Sequence, residues 1–213
     1  MKQRWRNWVS IVLTLIAGHA LAQSLERPRP WEVGDRLAYA YHLNGRLVDA
    51  VEEVVQIADA RVLMVQRIGT RTYEAAYSLP DYRREKGICV ANSQACSFEP
   101  GETWLDWPLT PGKTWSNSMT VSGETFVTGV RQRRTVQGLE TITTPAGEFL
   151  AFRVSSQGTL TSRNRDGAGP WKGTEKSTYW WSHVKGKLVL VRQSYENSFG
   201  SSSSRELVSV EFR

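Results

Sequence analysis

Outside the first 22 residues, few side chains could do chemistry. They are two histidines, His42 and His183, one cysteine pair, Cys89 and Cys96, some dispersed carboxylates and seven tryptophans. Two imidazoles with no cysteine or carboxylate at ligand spacing do not make a metal site, so no metal and no cofactor is expected. The string Gly112-Lys113-Thr114 ends like a phosphate-binding loop, but Trp107 stands where that loop needs its first glycine. Pro111-Gly112 reads better as a turn. Neither G-x-S-x-G, H-E-x-x-H nor a calcium loop occurs. Asp106, Glu124 and Glu148 are the carboxylates to inspect for hydrolysis, and no two of them have diagnostic spacing. The residues therefore point away from an enzyme.

Tryptophan carries more information. Trp31, Trp104, Trp107, Trp115, Trp171, Trp180 and Trp181 each have a large apolar body and one N–H that needs an acceptor when buried. Consecutive residues of a strand face opposite sides, so Trp180 and Trp181 cannot share a face. Either these rings anchor cores and loops, or some of them line a concave apolar or sugar-binding surface.

The chain start sets the compartment. Lys2, Arg4 and Arg6 precede an apolar run from Val9 to Ile16, and Ala20-Leu21-Ala22 is a small-x-small cleavage sequence. That pattern is a signal peptide over residues 1–22; its apolar run is too short to span a bilayer core of about 30 Å. Residues 23–213 then form a single exported domain with no transmembrane segment, soluble and in the periplasm. Removing the leader takes 27 basic and 21 acidic residues to 24 and 21, and the formal charge from +6 to +3. So small a charge gives no basis for nucleic-acid binding. Arg131-Gln132-Arg133-Arg134 reads as a solvated strand face. In an oxidising compartment Cys89 and Cys96 are expected to pair as a local disulfide, because their spacing is not that of a C-x-x-C redox motif.

These side chains must be positioned by strands. Leu37, Tyr39, Tyr41 and Leu43 alternate, Asn44-Gly45 is a hairpin signal, and Tyr73, Ala75, Tyr77 and Leu79 alternate again. Residues 47–57 fit a helical face too, but their valines and the preceding turn favour a strand. Residues 80–114 read as an irregular crossing. Further strands are expected near 119–128, 130–137, 138–144, 148–161, 174–184, 186–196 and 205–212. With no long amphipathic helix, the class is all-β: a strongly curved antiparallel sheet, as a half-barrel or sandwich, with few or short helices.

Three stretches occur in a familiar order: Pro108 to Trp115; Gly138 to Val154 around Thr144-Pro145-Ala146-Gly147-Glu148-Phe149; and Tyr179-Trp180-Trp181 followed by Val184 to Val189. The order resembles uncharacterised TapB-like periplasmic proteins, distantly similar to lipoprotein-carrier (LolA/LolB-like) half-barrels. That resemblance implies a curved sheet clasping a short helix or loop, and it brings no catalytic residues. With it, the expected function is non-enzymatic: holding an apolar or amphipathic ligand, such as an acyl chain or lipoprotein segment, in the sheet's concavity. Tyr39, Tyr41, Trp107, Trp115, Phe152 and Trp180 are the candidate lining. The alternative is a cell-envelope structural or interaction protein with a solid core, docking an envelope protein.

Overall fold

The computed structural model describes residues 27–89 and 94–213; the proposed signal peptide lies outside them. Twelve strands run in chain order: β1 (Arg36–Leu43), β2 (Arg46–Ala58), β3 (Arg61–Ile68), β4 (Arg71–Ser78), β5 (Arg83–Cys89), β6 (Gln94–Glu102), β7 (Thr114–Ser122), β8 (Phe126–Thr144), β9 (Gly147–Asn164), β10 (Trp171–Val184), β11 (Lys187–Asn197) and β12 (Ser202–Glu211). Each pairs antiparallel with its chain neighbours, and β1 pairs with β12, so the sheet closes into a barrel. The all-β, antiparallel, strongly curved sheet expected from the alternation is present, and its curvature carries through to closure. Closure removes both sheet edges.

Two strands occupy the stretch read as an irregular crossing. β5 and β6 escape a period-two reading because bulges shift register at Ala76/Tyr77 and Arg84/Lys86, and because Pro100 falls inside β6. At 130–144 the opposite happens: Gly138 looks like a break, yet β8 is one 19-residue strand. The register slips by one residue between Val136 and Gly138, where glycine holds φ at +146°. Beyond this bulge the β8–β9 tip leaves the barrel wall and lies over the outer face of β10–β12. There Ile142, Phe149 and Ala151 pack with Val189, Val191 and Trp180.

Period two sorts the rest. Inward residues such as Leu37, Tyr39, Val54, Met64, Val136, Val154 and Leu207 are buried. Outward positions of β8, β9 and β10 carry exposed Arg131, Arg133, Gln157, Arg163, Lys172 and Lys176. A lipid-facing barrel would need an apolar outer band there. The described residues contain no helix long and apolar enough to cross a membrane.

One end of the barrel is plugged from within. The loop between β6 and β7 folds inward and buries Trp104, Leu105 and Leu109, the last completely. Trp104 packs against Tyr77, Tyr179 and Trp181, at ring separations of 5.7, 6.2 and 5.5 Å. The segment before β1 adds Trp31, whose indole donates to Leu188 O at 3.1 Å. Behind it Lys187 Nζ reaches Asp35 Oδ2 at 2.7 Å and Asp35 Oδ1 at 2.9 Å. A buried arginine fastens the plug. Arg134 Nη1 donates to Thr103 O (3.0 Å) and Trp104 O (2.9 Å), and Nη2 pairs with Glu102. The cluster read as a solvated basic face is thus split by the pleat: Arg131 and Arg133 face water, while Arg134 is 1% exposed.

Removing one partner of a buried ion pair leaves the other charge uncompensated, at a cost of about 3–5 kcal/mol. Arg134→Met is expected to lose that much in urea unfolding, whereas Arg131→Met should stay within about 0.5 kcal/mol of the parent. Comparable losses at both positions would refute the fastening role. Reducing the Cys89–Cys96 disulfide, which closes a short loop, should cost about 2–3 kcal/mol on the chain-entropy account.

Candidate functional site

The plug fills one end of the barrel and leaves the other hollow. A cavity of about 460 Å³ opens at the end that carries the β7–β8, β9–β10 and β11–β12 turns, within the range of about 300–1,000 Å³ usual for small-molecule sites. Its walls differ in character. From β6 to β9 it is lined by Phe98, Met119, Val121, Phe126, Val130 and Leu160. From β10 and β11 come Glu175, Ser177, Tyr179, Gln193, Tyr195 and Asn197. Trp171 and Phe199, 44% and 46% exposed, stand at the opening. Phe199 leans across β10, so a Cβ on Gly173 would lie 2.6 Å from its ring.

The floor is charged and buried. Arg84 and Glu102 line it, with Arg134 immediately behind. Burial alone would raise the Glu102 carboxyl, but Arg134, Arg84 and the Trp104 indole, which donates at 2.7 Å, outweigh it and hold the pKa below the ordinary value. Glu175 goes the other way. Burial pushes its pKa up, nearby Glu102 adds to the rise, and the hydrogen bond from Gln132 Nε2 at 2.6 Å only partly opposes it. That bond spans two strands. Gln132, Gly158 and Glu175 stand in register on β8, β9 and β10, and a Cβ on Gly158 would lie 3.1 Å from both Gln132 Cγ and Glu175 Oε1. Glycine leaves the gap through which the two side chains meet.

The six candidate lining residues do not gather at this cavity. Tyr39 and Tyr41 face the interior on β1, where the Arg205 guanidinium lies 4.9 and 5.9 Å from their rings. Arg205 itself pairs with Glu52 at 2.5 Å. Phe152 is in the core around the plug; Trp107 and Trp115 pack at its margin, and the Trp115 indole donates to Thr103 O. Trp180 faces outward beneath the β8–β9 tip and donates to Glu140, while Trp181 points in, as their adjacency requires. Only Tyr39, Tyr41 and Phe152 point into the barrel with no role in the plug loop, and none of them lines the cavity. The disulfide joins β5 to β6 with Cys89 on the cavity wall. His42 and His183 stand on β1 and β10, with β12 and β11 between them, and no group of three candidate metal ligands occurs among the described residues.

Sequence reading missed Arg84, Glu102 and Glu175 for a specific reason. Two of them lie in strands with shifted register, where an alternating pattern cannot tell inside from outside. The one available signal was the inward apolar alternation of Met119, Val121, Val130 and Leu160 on β7–β9.

No family model and no curated protein matches the chain. Solved structures do. A predicted lipoprotein of Parabacteroides distasonis superposes with a TM-score of 0.52 at 14% identity, over 89% of this chain and 100% of that one. A predicted exported protein of Bacteroides fragilis with a YmcC-like fold gives 0.47 at 13% identity, over 87% and 99%. The hypothetical lipoprotein YmcC of Escherichia coli gives 0.49 at 11%, over 86% and 91%. At such identities the first of these shows a shared fold and nothing of ligand or activity. None of the three is described as a lipoprotein carrier.

Glu175 yields a pH prediction. Its pKa is raised on folding, so its contribution is favourable below the unfolded carboxylate value and is lost as pH rises through the folded one. Glu175→Gln should therefore raise the melting temperature at pH 7, and the gain should vanish as pH falls below about 4. A gain independent of pH, or a loss at pH 7, would contradict the assignment.

Proposed function

We propose that this barrel is a non-enzymatic, exported binding protein that holds an apolar or amphipathic ligand, of the acyl-chain or lipidated-segment kind, in its open end. The observation that carries this reading is a hollow of about 460 Å³ with an apolar wall, in a barrel whose other end is solidly packed. Burying apolar surface stabilises a complex by roughly 25 cal/mol per Å² before the costs of association. Phe98, Met119, Val121, Phe126, Val130 and Leu160 present such a surface without rearrangement. Trp171 and Phe199, half exposed at the opening, are placed to cover a ligand once it has entered. The leader-like first 22 residues agree with an exported protein. Among the described residues, no histidine stands on the cavity wall beside Ser162, Ser177 or Ser201.

Native mass spectrometry of protein purified from its own envelope, followed by organic extraction, tests the reading. A bound mass released on denaturation is expected, and it should disappear in Leu160→Trp, which fills the hollow, but persist in Trp180→Ala, which alters the outer face. An apo mass in the parent protein would instead favour an envelope interaction protein.

A further inference from the structure

The proposed occupant can be specified further from the charges at the cavity floor, and this step rests on the binding role just given. Among the described residues, the groups lining the cavity that carry charge at neutral pH are Arg84, Glu102 and Glu175, with Arg134 directly behind Glu102. Tyr179 and Tyr195 also line it, and burial pushes both phenols up, so they stay neutral. Glu102 is shared by two arginines. One of its oxygens is taken by Arg134 Nη2, the other accepts from the Trp104 indole, and Arg84 Nη1 stands 3.5 Å away. Two cations therefore face one firmly ionised carboxylate.

Arg84 is the less satisfied of the two. A guanidinium has five N–H donors. In Arg84, Nη2 donates to Ile88 O at 2.7 Å, while Nε is buried with no partner. Its guanidinium is stacked 4.2 Å from the centre of the Phe98 ring, itself part of the apolar wall. Gly87 makes room for it: a Cβ there would lie 2.8 Å from Nε and 2.7 Å from Nη2. The other carboxylate of the lining, Glu175, is hydrogen-bonded to Gln132 rather than to Arg84. Arg84 thus stands 3.5 Å from a carboxylate that it shares with Arg134, with one donor unpartnered, at the foot of an apolar wall.

We propose that the ligand is a carboxylate amphiphile of the fatty-acid class, its head seated against Arg84 and its chain lying along Phe98, Met119, Val130 and Leu160 toward Trp171 and Phe199. One incompletely paired guanidinium matches a monoanionic head. A charge-assisted hydrogen bond made away from water discriminates such a head from a neutral one by roughly ten- to a hundredfold in affinity.

The test uses the full-length protein stripped of bound lipid, titrated calorimetrically with sodium dodecanoate and with 1-dodecanol, which share a chain and differ in the head. Dodecanoate is expected to bind at least tenfold tighter than the alcohol. In Arg84→Met, which keeps the apolar stem, the two should become equal through loss of dodecanoate affinity alone. Equal binding of both by the parent protein would overturn the head-group assignment and leave the cavity's apolar role standing. Binding of neither would overturn the cavity reading itself. The comparison within the parent protein decides the matter even if Arg84→Met fails to fold. Tighter binding of dodecyl phosphate than of dodecanoate would refute the carboxylate in favour of a phosphorylated head.

Discussion

The ion pair between Arg134 and Glu102 is the constraint on which the rest of this barrel depends. Twelve strands close a cylinder too wide for its own inward side chains to fill, and a protein interior tolerates few voids. The β6–β7 loop is drawn in to fill one half. A loop brings unpaired carbonyls with it, and these need donors. Arg134 supplies them to Thr103 and Trp104 while its charge is balanced by Glu102, the last residue of β6. Without that guanidinium the Trp104 carbonyl would lose a donor and Glu102 its closest cation, leaving Arg84 at 3.5 Å. With it, Trp104 is held against Tyr77, Tyr179 and Trp181, and half of the barrel becomes an ordinary core.

The same pair sets the character of the hollow half. Glu102 lies at the boundary between plug and cavity, so the cost of burying charge is met where the cavity needs a polar floor. Arg84 borrows a share of that carboxylate without being fully satisfied by it. Apolar residues on β6–β9 and polar ones on β10–β11 then give the hollow two unlike walls. Small residues set the spacing: Gly158 admits the Gln132–Glu175 contact and Gly87 admits the Arg84 guanidinium. Such an interior suits a molecule with one charged end and a long apolar remainder.

Outside the barrel, the β8–β9 tip does a separate job. The Gly138 bulge turns it off the wall and onto β10–β12, where it covers Val189, Val191 and Trp180. Here β11 is apolar on both faces: its residues 188 to 191, Leu-Val-Leu-Val, are buried without interruption. That explains why Trp180 and Trp181 can be neighbours in a strand and both find apolar surroundings. It also explains why a conspicuous aromatic such as Trp180 is no guide to the interior.

What the sequence determined by itself is local. Alternation in β1 and β4, the Asn44-Gly45 turn and the disulfide spacing follow from pleat geometry, positive-φ preference and short loop closure, which need no distant partner. The all-β antiparallel class follows from them. Only the tertiary structure decided that the sheet closes, because closure depends on β1 meeting β12, a pairing between residues some 170 positions apart that no local pattern encodes. It likewise decided which polar residues turn inward. Bulges at Ala76/Tyr77 and Arg84/Lys86 shift the register on which any inside–outside assignment rests, and a shift of one residue exchanges the two faces of a strand. Arg84, Glu102 and Arg134 look like surface charges in the chain; the folded barrel turns all three inward, Arg84 and Glu102 to the floor of its cavity and Arg134 behind them.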